Sequence, residues 1–140
     1  MSPVRVIAAA SLALLAASGA ARAAETPERE LQMLGRCALA SSVYRSLMPP
    51  AIAPVQPTDA DKALHARMQL ADPILRARAD ALAGEVDAAK RDSISTELKA
   101  QFQAQLAPKD GPRKTPREAL DLYAPILEAC IVRAQILPKP

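Results

Sequence analysis

The chain has 140 residues, half of them apolar and only three aromatic, with a formal net charge of +3. Two of the cations, Arg5 and Arg22, lie in a predicted export signal, and their removal lowers the charge from +3 to about +1. So small a charge and so few rings for bases to stack on argue against a nucleic-acid partner. The remaining length suits one domain.

The first 23 residues have the pattern of a secretory signal peptide. Arg5 precedes an apolar run over 6–17. A helix that spans a bilayer needs about 20 apolar residues, so this run is too short. Ala21-Arg22-Ala23 then offers small residues at the two positions that signal peptidase reads. We predict cleavage after Ala23 and a mature domain over 24–140, located in the periplasm of a bacterium. The alternative is an uncleaved segment that anchors the chain in the inner membrane.

The mature sequence predicts a first helix over about 27–48. Thr26 can cap the free amide groups, and Pro27 suits the first helical position, where no N–H is needed. One face of this helix carries Met33, Cys37, Ala40, Tyr44 and Leu47 at helical spacing. Pro49 and Pro50 end it, and the proline-rich segment 49–57 is interpreted as a rigid spacer.

A second helix is predicted over 58–84, with Thr58 at its start and a kink near Pro73. A third is predicted over 93–106, starting at Asp92 or Ser93. A break between residues 84 and 93 is expected because one helix over 58–106 would be about 70 Å long. Such a rod could not pack along its length against partners half as long.

The fourth helix is predicted over 116–137, after a turn-rich basic loop over 107–115. Thr115 and Glu118 form a capping-box pattern around Pro116, which is the strongest local signal in the mature chain. Pro125 should bend this helix. Its apolar face carries Leu120, Tyr123, Leu127, Cys130, Ala134 and Leu137.

Four such helices predict an all-α fold, a small and mostly antiparallel four-helix bundle. The only two cysteines, Cys37 and Cys130, lie on the apolar faces of the first and last helices. In an oxidising compartment they are expected to form one disulfide that ties the two ends of the domain together. An antiparallel register through this bond places Tyr44 opposite Tyr123, and both tyrosines are interpreted as core residues with satisfied hydroxyls.

Redox or metal chemistry at the cysteines is not favoured. Redox-active cysteines usually lie two residues apart, and a zinc site would need further ligands, whereas the chain has one histidine, His65. His65 is interpreted as a surface residue, and the acidic residues Glu28, Glu30, Asp59 and Asp61 as partners of helix dipoles.

A basic cluster beside the start of the fourth helix is a candidate anion site. Its members are Lys109, Arg113, Lys114 and Arg117. The alternative interpretation is an ordinary solvated loop.

The sequence predicts no enzyme. It contains no phosphate-binding glycine loop, no serine-hydrolase or zinc-protease motif and no haem-attachment motif. We therefore expect no catalytic residue, no metal, no cofactor and no membrane span in the mature chain. The favoured function is a non-enzymatic structural or interaction protein of the cell envelope, with a protein partner that is not identified. The alternatives are an acid- or stress-responsive periplasmic chaperone and a small-molecule or anion-binding module that uses the loop over 109–117.

Overall fold

The computed structural model describes residues 25–48 and 56–139. These residues form four helices and no strand, which confirms the all-α prediction. The helices are α1 (Pro27–Ser46), α2 (Asp59–Ala83), α3 (Ala88–Leu106) and α4 (Pro116–Ile136). The predicted signal peptide with its cleavage site after Ala23, and most of the proline-rich spacer, lie outside the described residues.

Side-chain caps start α1, α2 and α4 where the sequence predicts. The Thr26 hydroxyl accepts a hydrogen bond from the third residue after it. Thr58 and Thr115 form full capping boxes, in which the carboxylates of Asp61 and Glu118 also accept the threonine N–H. Each cap contributes about 1 kcal/mol, because it satisfies amide groups that have no partner inside the helix.

The start of α3 differs from the prediction. The helix begins at Ala88 rather than at residue 93, and the Asp87 carboxylate caps it by accepting the Lys90 N–H at 2.9 Å. Buried Val86 holds the turn before it against the protein, so the first available cap is the one that is used. The expected break between residues 84 and 93 is present at this turn. Helix α2 runs through Pro73 to Ala83 without a break, and the kink there stays a prediction.

Helix α1 lies at the centre of the packing, since α2, α3 and α4 each pack against it and α2 also packs against α4. The end of α1 meets the beginning of α2 at Tyr44 and Asp61, whereas the beginning of α1 meets the later part of α2 at Glu30 and Arg78. These two helices are therefore antiparallel. Helix α3 packs chiefly against α1, rather than between α2 and α4.

The predicted disulfide is confirmed. Cys37 and Cys130 are bonded across α1 and α4, with Cα atoms 5.9 Å apart and 93 residues apart in sequence. Both are buried in the core. Glu30 near the beginning of α1 also lies 3.1 Å from Arg133 near the end of α4, so α1 is antiparallel to α4 as well as to α2. Helices α2 and α4 therefore run parallel to each other.

The core joins one face of α1, α2 and α4 to the end of α3. Tyr44 and Tyr123 are almost completely buried. Tyr44 donates its hydroxyl to Asp61 at 3.0 Å, and Tyr123 donates to Gln105 at 3.4 Å. The Tyr123 ring also stacks on Phe102, with centroids 5.0 Å apart. The interpretation of both tyrosines as core residues with satisfied hydroxyls is confirmed, while their direct opposition stays a prediction.

A glycine permits α3 to approach α1 closely. A Cβ atom at Gly35 would lie 2.7 Å from Cδ1 of Leu98, which is nearer than side-chain atoms pack. Ile94, Leu98 and Phe102 form the buried stripe of α3 at four-residue spacing. The sequence predicts this stripe, but not the helix that receives it.

Candidate interaction groove between α2 and α4

A groove of about 260 Å³ follows the seam between the parallel helices α2 and α4. Its apolar lining comes from Leu70, Ala71 and Ile74 on α2, and from Ile131 and Ala134 on α4. Since α3 packs on α1, no described helix covers the outer side of this seam. The groove therefore follows from the position of α3.

One exposed apolar side chain lines this groove. Within residues 25–48 and 56–139, four large apolar side chains are exposed, and Leu70 (79%) is the one among them that lines it. Val132 (57%) and Ile136 (72%) are exposed one turn apart on α4, the helix of the other wall, but do not line the groove. Isolated exposed apolar residues are ordinary, but one in an uncovered apolar groove marks a candidate binding surface.

The rim of the groove is polar. Arg67 of α2 donates two hydrogen bonds to Glu128 of α4, each 3.0 Å long. About half of each side chain is exposed, so this pair contributes little to stability. Gln135 and Lys139 add further polar groups. An apolar centre within a polar rim is the usual composition of a protein-binding surface.

A buried carboxylate joins the beginning of α2 to α1 and α4. Asp61 accepts two hydrogen bonds from Arg117 of α4, at 2.6 and 2.9 Å, and one from Tyr44 of α1. The amide of Thr58 adds a fourth at 2.8 Å. The Arg117 guanidinium holds the pKa of Asp61 well below its ordinary value, while burial and the Asp61 charge raise the pKa of Tyr44. Arg117 also binds Asp121, and we name Tyr44, Asp61, Arg117 and Asp121 the Asp61 cluster.

A second buried carboxylate, on α1, binds the later part of α2 and the end of α4. Glu30 of α1 accepts two hydrogen bonds from Arg78 of α2, both 2.8 Å long, and lies 3.1 Å from a guanidinium nitrogen of Arg133 on α4. Arg133 also binds Glu25 at 3.0 Å. The pKa of Glu30 is lowered, chiefly by its hydrogen bonds from Arg78. We name Glu25, Glu30, Arg78 and Arg133 the Glu30 cluster.

The two clusters were missed in the sequence, where Glu30 and Asp61 read as partners of helix dipoles. A signal was present, because both carboxylates continue apolar stripes at heptad spacing. Glu30 lies seven residues before Cys37, and Asp61 lies seven before Met68. Each carboxylate was therefore placed on a core face, where burial requires a charged partner.

The predicted basic cluster is divided in the structure. Lys109, Arg113 and Lys114 are exposed on the loop before α4. Arg117 instead binds Asp61 and, at 2.8 Å, Asp121, so its charge is balanced within the protein. Anion binding by the other three stays a prediction.

The remaining candidate sites are a histidine, metal-binding groups and membrane-spanning helices. His65 is half-buried, and burial lowers its pKa. Within the described ranges, no group of three or more His, Cys, Asp or Glu residues is arranged to hold a metal ion. None of the four described helices is long and apolar enough to cross a membrane.

No protein-family model, no curated protein and no solved structure matches this chain. The function is therefore inferred from the groove and the two charged clusters.

Proposed function

We propose that the protein is a non-enzymatic interaction protein of the cell envelope, which binds an apolar helix of a partner protein in the groove between α2 and α4. The observation that carries this proposal is the strongly exposed Leu70 in an apolar groove that no described helix covers. The envelope location is inferred from the predicted export signal.

The size and shape of the groove favour a helical occupant. From Arg67 to Ile74 the α2 wall extends seven residues, or about 10 Å, which is the length of two helical turns. An amphipathic helix presents apolar side chains at positions i, i+4 and i+7 over the same distance. Such a row fits between two parallel helices and would cover the exposed leucine.

The carboxylates of the two charged clusters have a structural explanation rather than a catalytic one. Shifted pKa values can mark catalytic groups, but ion pairs that hold a fold together shift them equally. Asp61 and Glu30 are each bound by arginines from neighbouring helices and are almost fully buried. At the groove rim, Glu128 is paired with Arg67. These carboxylates are therefore occupied in joining helices.

The defined probe is a synthetic amphipathic peptide with leucines at i, i+4 and i+7, titrated into the purified exported protein at pH 7. Leu70→Ser should weaken binding at least tenfold, because it removes exposed apolar surface from the groove wall without touching the core. Val132→Ser, one turn after the rim residue Glu128, should weaken binding less. Leu122→Ser is the matched control, since Leu122 is also exposed on α4 and does not line the groove. The melting temperature of all three variants should stay within a few degrees of the native protein.

The native partner is then sought with a photo-crosslinking residue at position 70 or, as a control, at position 122. A partner protein should be captured only from position 70, through an apolar helical segment. Equal capture from both positions, or peptide binding that the Leu70 and Val132 variants leave unchanged, would contradict the proposal.

A further inference from the structure

Helix α2 is held differently from its two neighbours. Helices α1 and α4 are joined by the Cys37–Cys130 bond, which does not respond to pH. Helix α2 has no cysteine, and a buried carboxylate–arginine cluster holds it near each end. One wall of the groove is thus fixed covalently, and the other is fixed by groups that can take up protons.

We infer that acid opens the seam between α2 and α4 and widens the apolar groove, while the disulfide keeps α1 and α4 paired. The acid-induced opening is inferred from the geometry of the two clusters. That it enlarges a binding surface rests on the proposed function.

The first proton acts at Asp61. The groups that face this carboxylate are Tyr44 from α1 and Arg117 and Asp121 from α4, together with the Thr58 amide at the start of its own helix. Arg117 keeps the pKa of Asp61 below the ordinary value of 3.8 while the seam is closed. The cluster therefore stabilises the closed form fully above about pH 4, and this stabilisation is lost as the pH falls.

The second proton acts at Glu30. The groups that face it are Arg78 from α2, Arg133 from α4 and Glu25 ahead of α1, with Glu85 close enough to act on Arg78. The pKa of Glu30 is below the ordinary value of 4.5 in the closed form. Opening thus takes up two protons below about pH 4, and the opening equilibrium should change by up to about 100-fold per pH unit.

The other charged contacts of α2 differ from these clusters. Arg67–Glu128 is half exposed on both sides and contributes little in solvent. Asp72 is largely buried and binds Arg45, but this pair joins α2 to α1 and does not cross the seam with α4. The contact from Arg91 of α3 to the Ala83 carbonyl involves no carboxylate, so acid leaves it unchanged.

Hydrogen exchange of the oxidised full chain, read by mass spectrometry at pH 7 and pH 3, tests the opening. After correction for intrinsic exchange rates, the protection of amides in α2 should be at least tenfold lower at pH 3 than at pH 7. Peptides around Cys37 and Cys130 should keep theirs. Equal loss from α1, α2 and α4 would mean whole-domain unfolding and would overturn the inference, as would unchanged protection of α2 down to pH 2.5.

Variants then assign the protons. Asp61→Asn with Glu30→Gln imitates the protonated clusters, so α2 should already exchange faster at pH 7 and lose most of its pH response. Asp110→Asn with Glu97→Gln removes two exposed carboxylates and should respond like the native protein. If the first double variant does not fold, Asp61→Asn alone should reduce the pH dependence from about 100-fold to about tenfold per unit. An unaltered dependence in that variant would overturn the inference.

The two proposals can be tested independently. If the protein does not bind the peptide at pH 7 but α2 still opens in acid, only the proposed function is contradicted. Binding at pH 7 with no acid-dependent exchange in α2 would remove only the inferred regulation.

Discussion

Breaking the Cys37–Cys130 bond should remove a large part of the free energy of unfolding. The bond closes a loop with a sequence separation of 93 residues. In the chain-entropy description, a cross-link over such a loop destabilises the unfolded state by about 4.7 kcal/mol at 25 °C. Replacing both cysteines by alanine also removes two buried sulfur atoms, at about 1 kcal/mol each. Since small domains have only about 5–15 kcal/mol in total, the double alanine variant should be close to unfolding at 37 °C.

Urea unfolding followed by far-ultraviolet circular dichroism separates the two contributions. Oxidised protein, reduced protein and the double alanine variant are compared at pH 7. Reduction keeps the sulfur atoms and should lower the free energy of unfolding by about 4–5 kcal/mol. The alanine variant should lose about 2 kcal/mol more. The dependence on urea should steepen in both, because an unfolded chain without the cross-link exposes more surface.

One result would refute this reasoning. If reduction costs less than about 2 kcal/mol and leaves the dependence on urea unchanged, the unfolded chain already keeps its two ends together without the bond. The bond would then contribute little through loop entropy, and the covalent pairing of α1 with α4 would be a weaker constraint than inferred above.

Two matched pairs of substitutions test the packing. Gly84→Ala should raise stability by about 0.4–1 kcal/mol, because its φ of −72° suits alanine and the added Cβ atom has no contact closer than 3.7 Å. Gly35→Ala should show no such gain in thermal melts, since its Cβ atom would lie 2.7 Å from Leu98 and overpacking offsets the better helix propensity. Tyr44→Phe should cost about 1–1.5 kcal/mol by removing a donor to a buried carboxylate, whereas Tyr123→Phe, whose 3.4 Å bond reaches an exposed glutamine, should cost less than half as much. Equal losses in the two tyrosine variants, or an equal gain in the two glycine variants, would show that these contacts do not set the difference.

The sequence by itself determined the features that depend on near neighbours in the chain. The number of helices, their capping residues and their apolar faces follow from groups within a few residues of one another. The pairing of Cys37 with Cys130 needed only two cysteines and an antiparallel register. Even here the choice between two nearby caps failed for α3, because Asp87 and Asp92 are equally good locally and the buried Val86 decides between them.

Only the tertiary structure decided which helices share a seam. Heptad spacing puts Glu30 and Asp61 on core faces, but the identity of their partners depends on how three helices pack together. In a regular four-helix bundle α3 would lie between α2 and α4 and cover Leu70. It packs on α1 instead, at the gap that Gly35 leaves, and so the α2–α4 groove stays open. Capping and periodicity are local and can be read along the chain, whereas the choice of packing partner is a competition between distant surfaces, which no local pattern records.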